Sequence, residues 1–266
     1  MRYNYHTHTE RCKHAVGSEQ DYIDVALREG YDGLGISDHV ILPGIIHGRS
    51  RGDWGTQEDY FSTVRRAQEE YKGQLEIFLG CECEWVPRFE DYYRELLETK
   101  KVDYLIVGIH GSYFKNGREQ VLKPRHPSEV IERKRRLALQ ALESGLFTYM
   151  AHPDKYMENV PWNAAAERAA IDICRTAKER DIPLEINCSC MRWEGGERDI
   201  YGEHRLRYPY RKFWEIARDV GNTVVIGIDA HDPADLEKKK RVLAEQFAAS
   251  LGITPVERLD TIQKRV

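Results

Sequence analysis

No stretch of the chain approaches the length of a membrane-spanning run, and the first residues lack a basic segment followed by an apolar one. A soluble, cytoplasmic protein with no membrane contact is therefore expected. Positive charge is also short: 40 Lys and Arg face 44 Asp and Glu, and the net charge of −4 leaves no global field to recruit nucleic acid. The six cysteines (Cys12, Cys81, Cys83, Cys174, Cys188 and Cys190) are too few and too unevenly placed for a disulfide scaffold, so reduced, packed thiols are expected. No glycine-rich phosphate loop of the dinucleotide or Walker type follows any strand-like run, which counts against a nucleotide-binding sheet.

What the chain does contain is one unit repeated: a short apolar run with β-branched or aromatic residues, then a stretch with helical spacing. The runs are YNYHTHT, GLGISDH, LEIFLGCE, YLIVGIHG, LFTYMAHP, IPLEINCS and TVVIGIDAH. Helices are predicted at 18–30, 56–72, 88–99, 126–144, 162–180, 210–220 and after 233. Seven βα units in 266 residues favour one α/β domain, 1–266, with a closed or nearly closed parallel barrel.

In such a barrel the C-terminal strand ends converge on one face. Here they carry His6 and His8, Asp38 and His39, Glu82, His110, His152, Glu185 and Asn187, and Asp229 and His231. Of ten histidines six stand at these ends, and His14 in the first loop makes a seventh, a sorting that independent solvated histidines would not show. His6 and His8 are two apart and share a strand face. Imidazoles and carboxylates suit zinc, manganese or iron, and so many convergent donors imply two or three divalent ions with Glu82 as the natural bridge. Clustered ions acidify a bound water and neutralise an anionic substrate, so the expected chemistry is hydrolysis of a phosphate ester by attack of a metal-bound hydroxide on phosphorus.

The segments HTHTERCKHA, SDH at 37–39, GCE at 80–82, GIH, AHPD and GIDAHDP together resemble the polymerase and histidinol phosphatase (PHP) superfamily over nearly the whole chain. The resemblance implies a distorted seven-stranded (β/α)7 barrel, TIM-like, with a trinuclear site. It assigns one ion to His6, His8, Glu82 and Asp229, a second to Glu82, His110 and His152, and a third to His14, His39 and His231. Glu82, His8 and Asp229 carry the catalytic assignment. Within the superfamily the chain is most similar to the histidinol-phosphate phosphatase branch, through YNYHTHTERCKHA, GLFTYMAHPD and the order EIN, Met191-Arg192, Tyr208-Pro209, Phe213-Trp214. The implied activity is phosphomonoester hydrolysis of a small metabolite, L-histidinol phosphate first, in histidine biosynthesis. The alternatives are a phosphatase for other sugar or nucleoside phosphates, a phosphodiesterase or exonuclease, and a metal-binding module without turnover.

A phosphate dianion needs cations beside the ions. Arg192 past the sixth run is the first candidate, Lys155 after AHPD the second, and Arg207 and Arg211 follow. His204 belongs to a long aromatic loop, 191–211, read as a pocket lid or binding loop. Asp38 is read as orienting an imidazole rather than coordinating. Glu185 and Asn187 are placed either in the pocket or on buried polar groups of the rim. The run Glu132-Arg133-Lys134-Arg135-Arg136 is read as a solvated helix face, and His47 and His126 as surface or capping residues.

Overall fold

The computed structural model describes residues 1–49, 51–121, 126–192 and 194–263. Its strands are β1 (Tyr3–Asn4), β2 (Gly33–Ile36), β3 (Glu76–Cys83), β4 (Tyr104–Val107), β5 (Ser112–Lys115), β6 (Arg118–Val121), β7 (Tyr149–Met150), β8 (Leu184–Asn187), β9 (Arg198–Ile200), β10 (Glu203–Arg205) and β11 (Val224–Gly227). The principal helices are α1 (Glu19–Glu29), α2 (Gln57–Glu70), α3 (Glu90–Glu98), α4 (Pro127–Ser144), α5 (Ala164–Glu179), α6 (Arg211–Val220) and α7 (Lys238–Ser250). The capping chemistry explains these limits. Ser18 and Asp21 close a capping box at the start of α1, Asn163 accepts from two amides of α5, and Gly30, Gly145 and Gly221 end three helices in the left-handed region.

Seven strands form one sheet in the order β1-β2-β3-β4-β7-β8-β11, every neighbouring pair parallel. The sheet rolls into a nearly closed barrel. At the seam between β1 and β11 the strand pairing shrinks to one bridge, Thr7 with Ala230, where His8 N donates to Ala230 O at 2.9 Å. Lower down, the C-terminal segment covers the same seam: Val256 N donates to Val224 O at 2.7 Å, and Arg241 joins Tyr3 O to the Glu257 carboxylate. The run YNYHTHT is thus less regular than expected, with paired strand only at Tyr3–Asn4 and an isolated bridge at Thr7 between the two histidines.

Alternation along β3 and β4 divides the protein into layers. Ile77, Leu79, Cys81, Leu105 and Val107 pack outward against the helices, while Phe78, Tyr104 and Ile106 join Tyr3, Tyr5 and Tyr149 in a separate apolar cluster inside the barrel. Gly80 makes room for the Tyr104 ring: a Cβ there would stand 2.3 Å from it. Each such ring contributes about 2–3 kcal/mol of transfer free energy. Following the same inward parity up the strands, the lining changes from aromatic to polar, through Glu82 on β3, Glu84 just past its end, and Glu185 and Asn187 on β8. The aromatic plug is the floor of the site.

All six cysteines are buried and unpaired, and among the described residues no helix is long and apolar enough to cross a membrane. Two antiparallel hairpins, β5–β6 and β9–β10, are additions that the periodicity did not show. The first turns on Asn116-Gly117, both at positive φ (51° and 70°), and Asn-Gly is the strongest short hairpin signal. The second lies within 191–211.

Candidate metal centre

Four atoms from three strand ends face one point. His6 Nε2 and His8 Nε2 are 3.1 Å apart; His6 Nε2 lies 3.6 Å from Glu82 Oε2 and 3.4 Å from Asp229 Oδ1; His8 Nε2 lies 3.4 and 3.3 Å from the same two oxygens. Three donors about 3.4 Å apart, here His6 Nε2, His8 Nε2 and Glu82 Oε2, can each stand about 2.1 Å from one ion, the usual zinc–nitrogen and zinc–oxygen distance, with Asp229 Oδ1 beside both imidazoles as a further candidate donor. The donor set therefore fits a small divalent ion. The other Glu82 oxygen, Oε1, stands 2.9 Å from His152 Nε2 and 3.4 Å from His110 Nε2, a second group of three. One carboxylate thus faces two donor groups.

A third cluster adjoins the first, with a different composition from the one expected. His39 and His231 converge with His8, and His14 converges with His231 and Cys12. His14 Nδ1 is tied to Cys12 O at 2.8 Å and His231 Nδ1 to Asp229 O at 3.0 Å, which turns both Nε2 atoms outward as free donors. His39 Nδ1 lies 2.9 Å from Glu82 Oε2 without the alignment of a hydrogen bond. Two lone-pair atoms at that spacing suit a shared cation.

Behind the donors stands a row of buried partners that fix ring orientation. Glu185 takes His6 Nδ1 at 2.8 Å, the His152 amide at 3.0 Å and the Asn187 amide nitrogen at 2.8 Å, while Asn187 also donates to Asp229 at 3.2 Å. Glu185 and Asn187 therefore serve the ligands. Asp38 accepts from the Thr9 amide at 3.1 Å and lies 3.7 Å from His8 Nδ1, and it also converges with His8 and Cys12 at ligand spacing. Glu84, just past β3 and on the same face as Glu82 by the alternation of Gly80-Cys81-Glu82-Cys83-Glu84, is an addition to the expected site. It accepts from the His110 and Gly111 amides and sits 3.1 Å from His110 Nδ1. Burial pushes its carboxyl up to about 7.

Electrostatics match a site built for cations. Burial opposes charge on Glu82 and Asp229, yet neighbouring imidazoles hold both carboxyls well below the ordinary range. Burial likewise disfavours a charged His8 ring, but Asp229, Asp38 and Glu82 overcome it and raise its pKa to about 9. His6 is raised well above its usual value by Glu185, Asp229 and Glu82 against the same penalty, whereas burial dominates at His39 and His110 and lowers both. Two of the candidate donors, His152 and Asp229, also hold left-handed backbone (φ 32° and 54°), conformations that persist only where the surroundings impose them.

Gly108 leaves no spare volume: a Cβ there would stand 2.2 Å from Glu82 Oε1, 2.6 Å from His152 Cε1 and 2.8 Å from His110 Cε1. Gly108→Ala is expected to displace the second donor group and lower ion content by about one equivalent while the fold survives. Elemental analysis with circular dichroism checks this, and full ion content in the variant would refute it.

The candidate phosphate-binding residues are dispersed. A cavity of about 450 Å³ opens beside His110, lined by Lys155, Tyr156, Glu158, Glu129, Arg133 and Lys134 among others. Lys155 donates to Tyr208 Oη at 3.0 Å. Arg207 stands behind the wall, paired with Glu158 at 2.6 Å. Arg211 is held against α7, bonded to Ser250 Oγ at 2.8 Å. Arg192 is exposed and lines a different groove with His204, Leu243 and Phe247, and His204 pairs with Asp199 of its own hairpin at 3.0 Å. None of Arg192, Arg207, Arg211 and His204 is among the described residues lining the His110 cavity. Two expectations need correction. Arg133 and Lys134, read as a solvated face, line this cavity because α4 lays that part of its surface over the turn after β4. His47 is a buried clasp rather than a surface group: it accepts from the Leu42 amide at 3.0 Å and pairs with Glu119 at 2.8 Å.

Known proteins resemble this chain in sequence and fold. A "Probable histidinol-phosphatase" of Deinococcus radiodurans is 26% identical over 237 residues, 87% of this chain and 86% of that protein. The histidinol-phosphatase of Bacillus subtilis is 24% identical over 263 residues, covering 87% and 94%. A histidinol phosphate phosphatase of Lactococcus lactis, solved with zinc, L-histidinol and phosphate, shares the fold with a TM-score of 0.71 at 15% identity, over 98% of this chain and 97% of that one. The PHP domain model matches residues 4–189, from the strand that leads into His6 and His8 to the loop beyond Asn187, and the chain belongs to the PHP family.

Proposed function

We propose that the protein is a metal-dependent phosphomonoesterase for a small phosphorylated metabolite, with L-histidinol phosphate the first substrate to test. The observation that carries this reading is the placement of Glu82, whose two oxygens face two donor groups at the edge of a cavity bearing Lys155. His6, His8, Glu82 and Asp229 would hold one divalent ion, and Glu82, His110 and His152 another. Such ions supply Lewis acidity and an acidified water at neutral pH. The remaining work falls to the chain: Glu185, Asp38 and Glu84 orient the imidazoles, the tyrosine floor excludes water from below, and the cavity cations balance phosphate charge. Relatives named histidinol-phosphatase support the choice of substrate.

The test is phosphate release by protein loaded with zinc or manganese, against L-histidinol phosphate, other phosphomonoesters and single-stranded DNA. Preference for histidinol phosphate is the expected result. Release from DNA alone would favour an exonuclease, and no release from any substrate would defeat the enzymatic reading.

A further inference from the structure

The basic stretch of α4 has two sides with different partners. Arg135 works on the outer side, paired with Glu132 at 2.7 Å and Asp172 at 2.6 Å. Lys134 is offset from it by about 100° around the helix and lies against the turn after β4, where a Cβ on Gly111 would come 3.4 Å from its Cε. Gly111 follows His110 directly. From this position Lys134 lines the same cavity as Lys155 and His110. Lys155 itself has only a neutral partner, the Tyr208 hydroxyl at 3.0 Å, with its ammonium 4.8 Å from that ring. Among the described residues neither lysine forms an ion pair. Burial and the charge of Lys155 lower the pKa of Lys134 to about 8, which Glu158 and Glu84 offset only in part.

Two ammonium groups in one cavity repel each other, and an anion between them removes the repulsion. Their nearest chemistry is the donor ring at His110, so the fitting anion also places oxygens on the ions there. A tetrahedral oxyanion does both, because it has oxygens to spare on the side away from the ions. We propose that Lys134 and Lys155 form an anion clamp over the ion ring, and that Lys134 is a substrate-binding residue taking a phosphoryl oxygen of the monoester. This rests on the phosphatase reading for the substrate, while the clamp itself is read from the cavity.

The probe is inorganic phosphate, titrated calorimetrically into zinc-loaded wild type, Lys134→Met, Lys134→Arg and, as a control from the exposed side of the same helix, Arg136→Met. Lys134→Met is expected to weaken phosphate binding about 10- to 100-fold. Lys134→Arg should recover part of this, and Arg136→Met should match wild type, with zinc content equal throughout. A second measurement needs no variant: acetylation of Lys134 in wild type, followed by mass spectrometry, should slow when phosphate is present. Unchanged phosphate affinity in Lys134→Met, or labelling indifferent to phosphate, would overturn the clamp. Lys134-dependent phosphate binding with no monoester turned over would uphold the clamp and defeat the phosphatase reading; turnover with phosphate binding indifferent to Lys134 would do the reverse.

Discussion

Glu82→Gln is expected to cut kcat/KM by at least about 1000-fold, roughly 4 kcal/mol of transition-state stabilisation, and to lower ion content at two positions together. The change is nearly isosteric, so packing around the side chain survives. What disappears is a charge whose Oε2 stands 3.4 Å from His8 Nε2 and whose Oε1 stands 2.9 Å from His152 Nε2. An amide offers one neutral oxygen in place of two charged ones, and its NH2 group must face one of the two donor groups as a donor itself. His14→Ala is the useful comparison, since His14 is exposed at the rim and belongs to the outer cluster alone. Its expected loss is one equivalent or less. Elemental analysis beside steady-state kinetics decides the matter, and equal losses in the two variants would mean that Glu82 is not shared.

Removing the ions is expected to lower the melting temperature by about 8–16 °C. That figure follows from about 4 kcal/mol of stabilisation at free metal 1,000-fold above its dissociation constant, and from about 2–4 °C per kcal/mol for a chain of this size. The gap between loaded and stripped protein should widen with pH. In the stripped protein His8 has a folded pKa of about 9, above its unfolded value of 6.5, so its contribution to stability is complete below pH 6.5 and lost as pH rises toward 9. Ions compete with those protons, so their contribution grows over the same window. At the acid end the depressed Glu82 and Asp229 carboxyls act in the opposite sense, contributing stability above their unfolded values that is lost as pH falls through the folded ones. Differential scanning calorimetry at pH 6.5 and 8.5, with and without chelator, measures the loss of melting temperature and its growth with pH. A gap that closes with rising pH would contradict this account.

The convergence of the candidate donors was legible because a parallel barrel turns sequence position into spatial position: any residue at a strand's C-terminal end reaches one rim, whatever its distance along the chain. The predicted helix limits at 18–30, 56–72 and 126–144 lie within two residues of α1, α2 and α4; a capping box and Gly30 mark α1, and Pro127 and Gly145 mark α4, whereas α2 has no side-chain cap. Charge on a helix is harder to interpret. The 3.6 period reveals that Lys134 is off the apolar stripe, yet a polar face meets solvent or a polar cavity with the same pattern, and only the height of α4 over the barrel decides between them. Arg192 illustrates the converse: it follows β8 closely in sequence, yet it is exposed and lines a separate groove with Gly195, Gly196 and His204. Cys12 joined the outer cluster unannounced because the short helical turn at Glu10–Cys12 folds the first loop back under His14.

The seam at Thr7 and Ala230 has a consequence for how the protein comes into being. His6 and His8 leave the ribosome more than 200 residues before Asp229 and His231. For most of translation the early histidines have no carboxylate opposite them on the last strand, and the four-donor cage cannot exist on a nascent chain. Closing so long a loop costs entropy that local contacts do not repay, so the rim should assemble after the individual βα units. Metal capture by that cage is then a maturation event, and a cell that starves the protein of metal would accumulate barrels whose first and last strands are joined by one backbone bridge at the top and a C-terminal strap below.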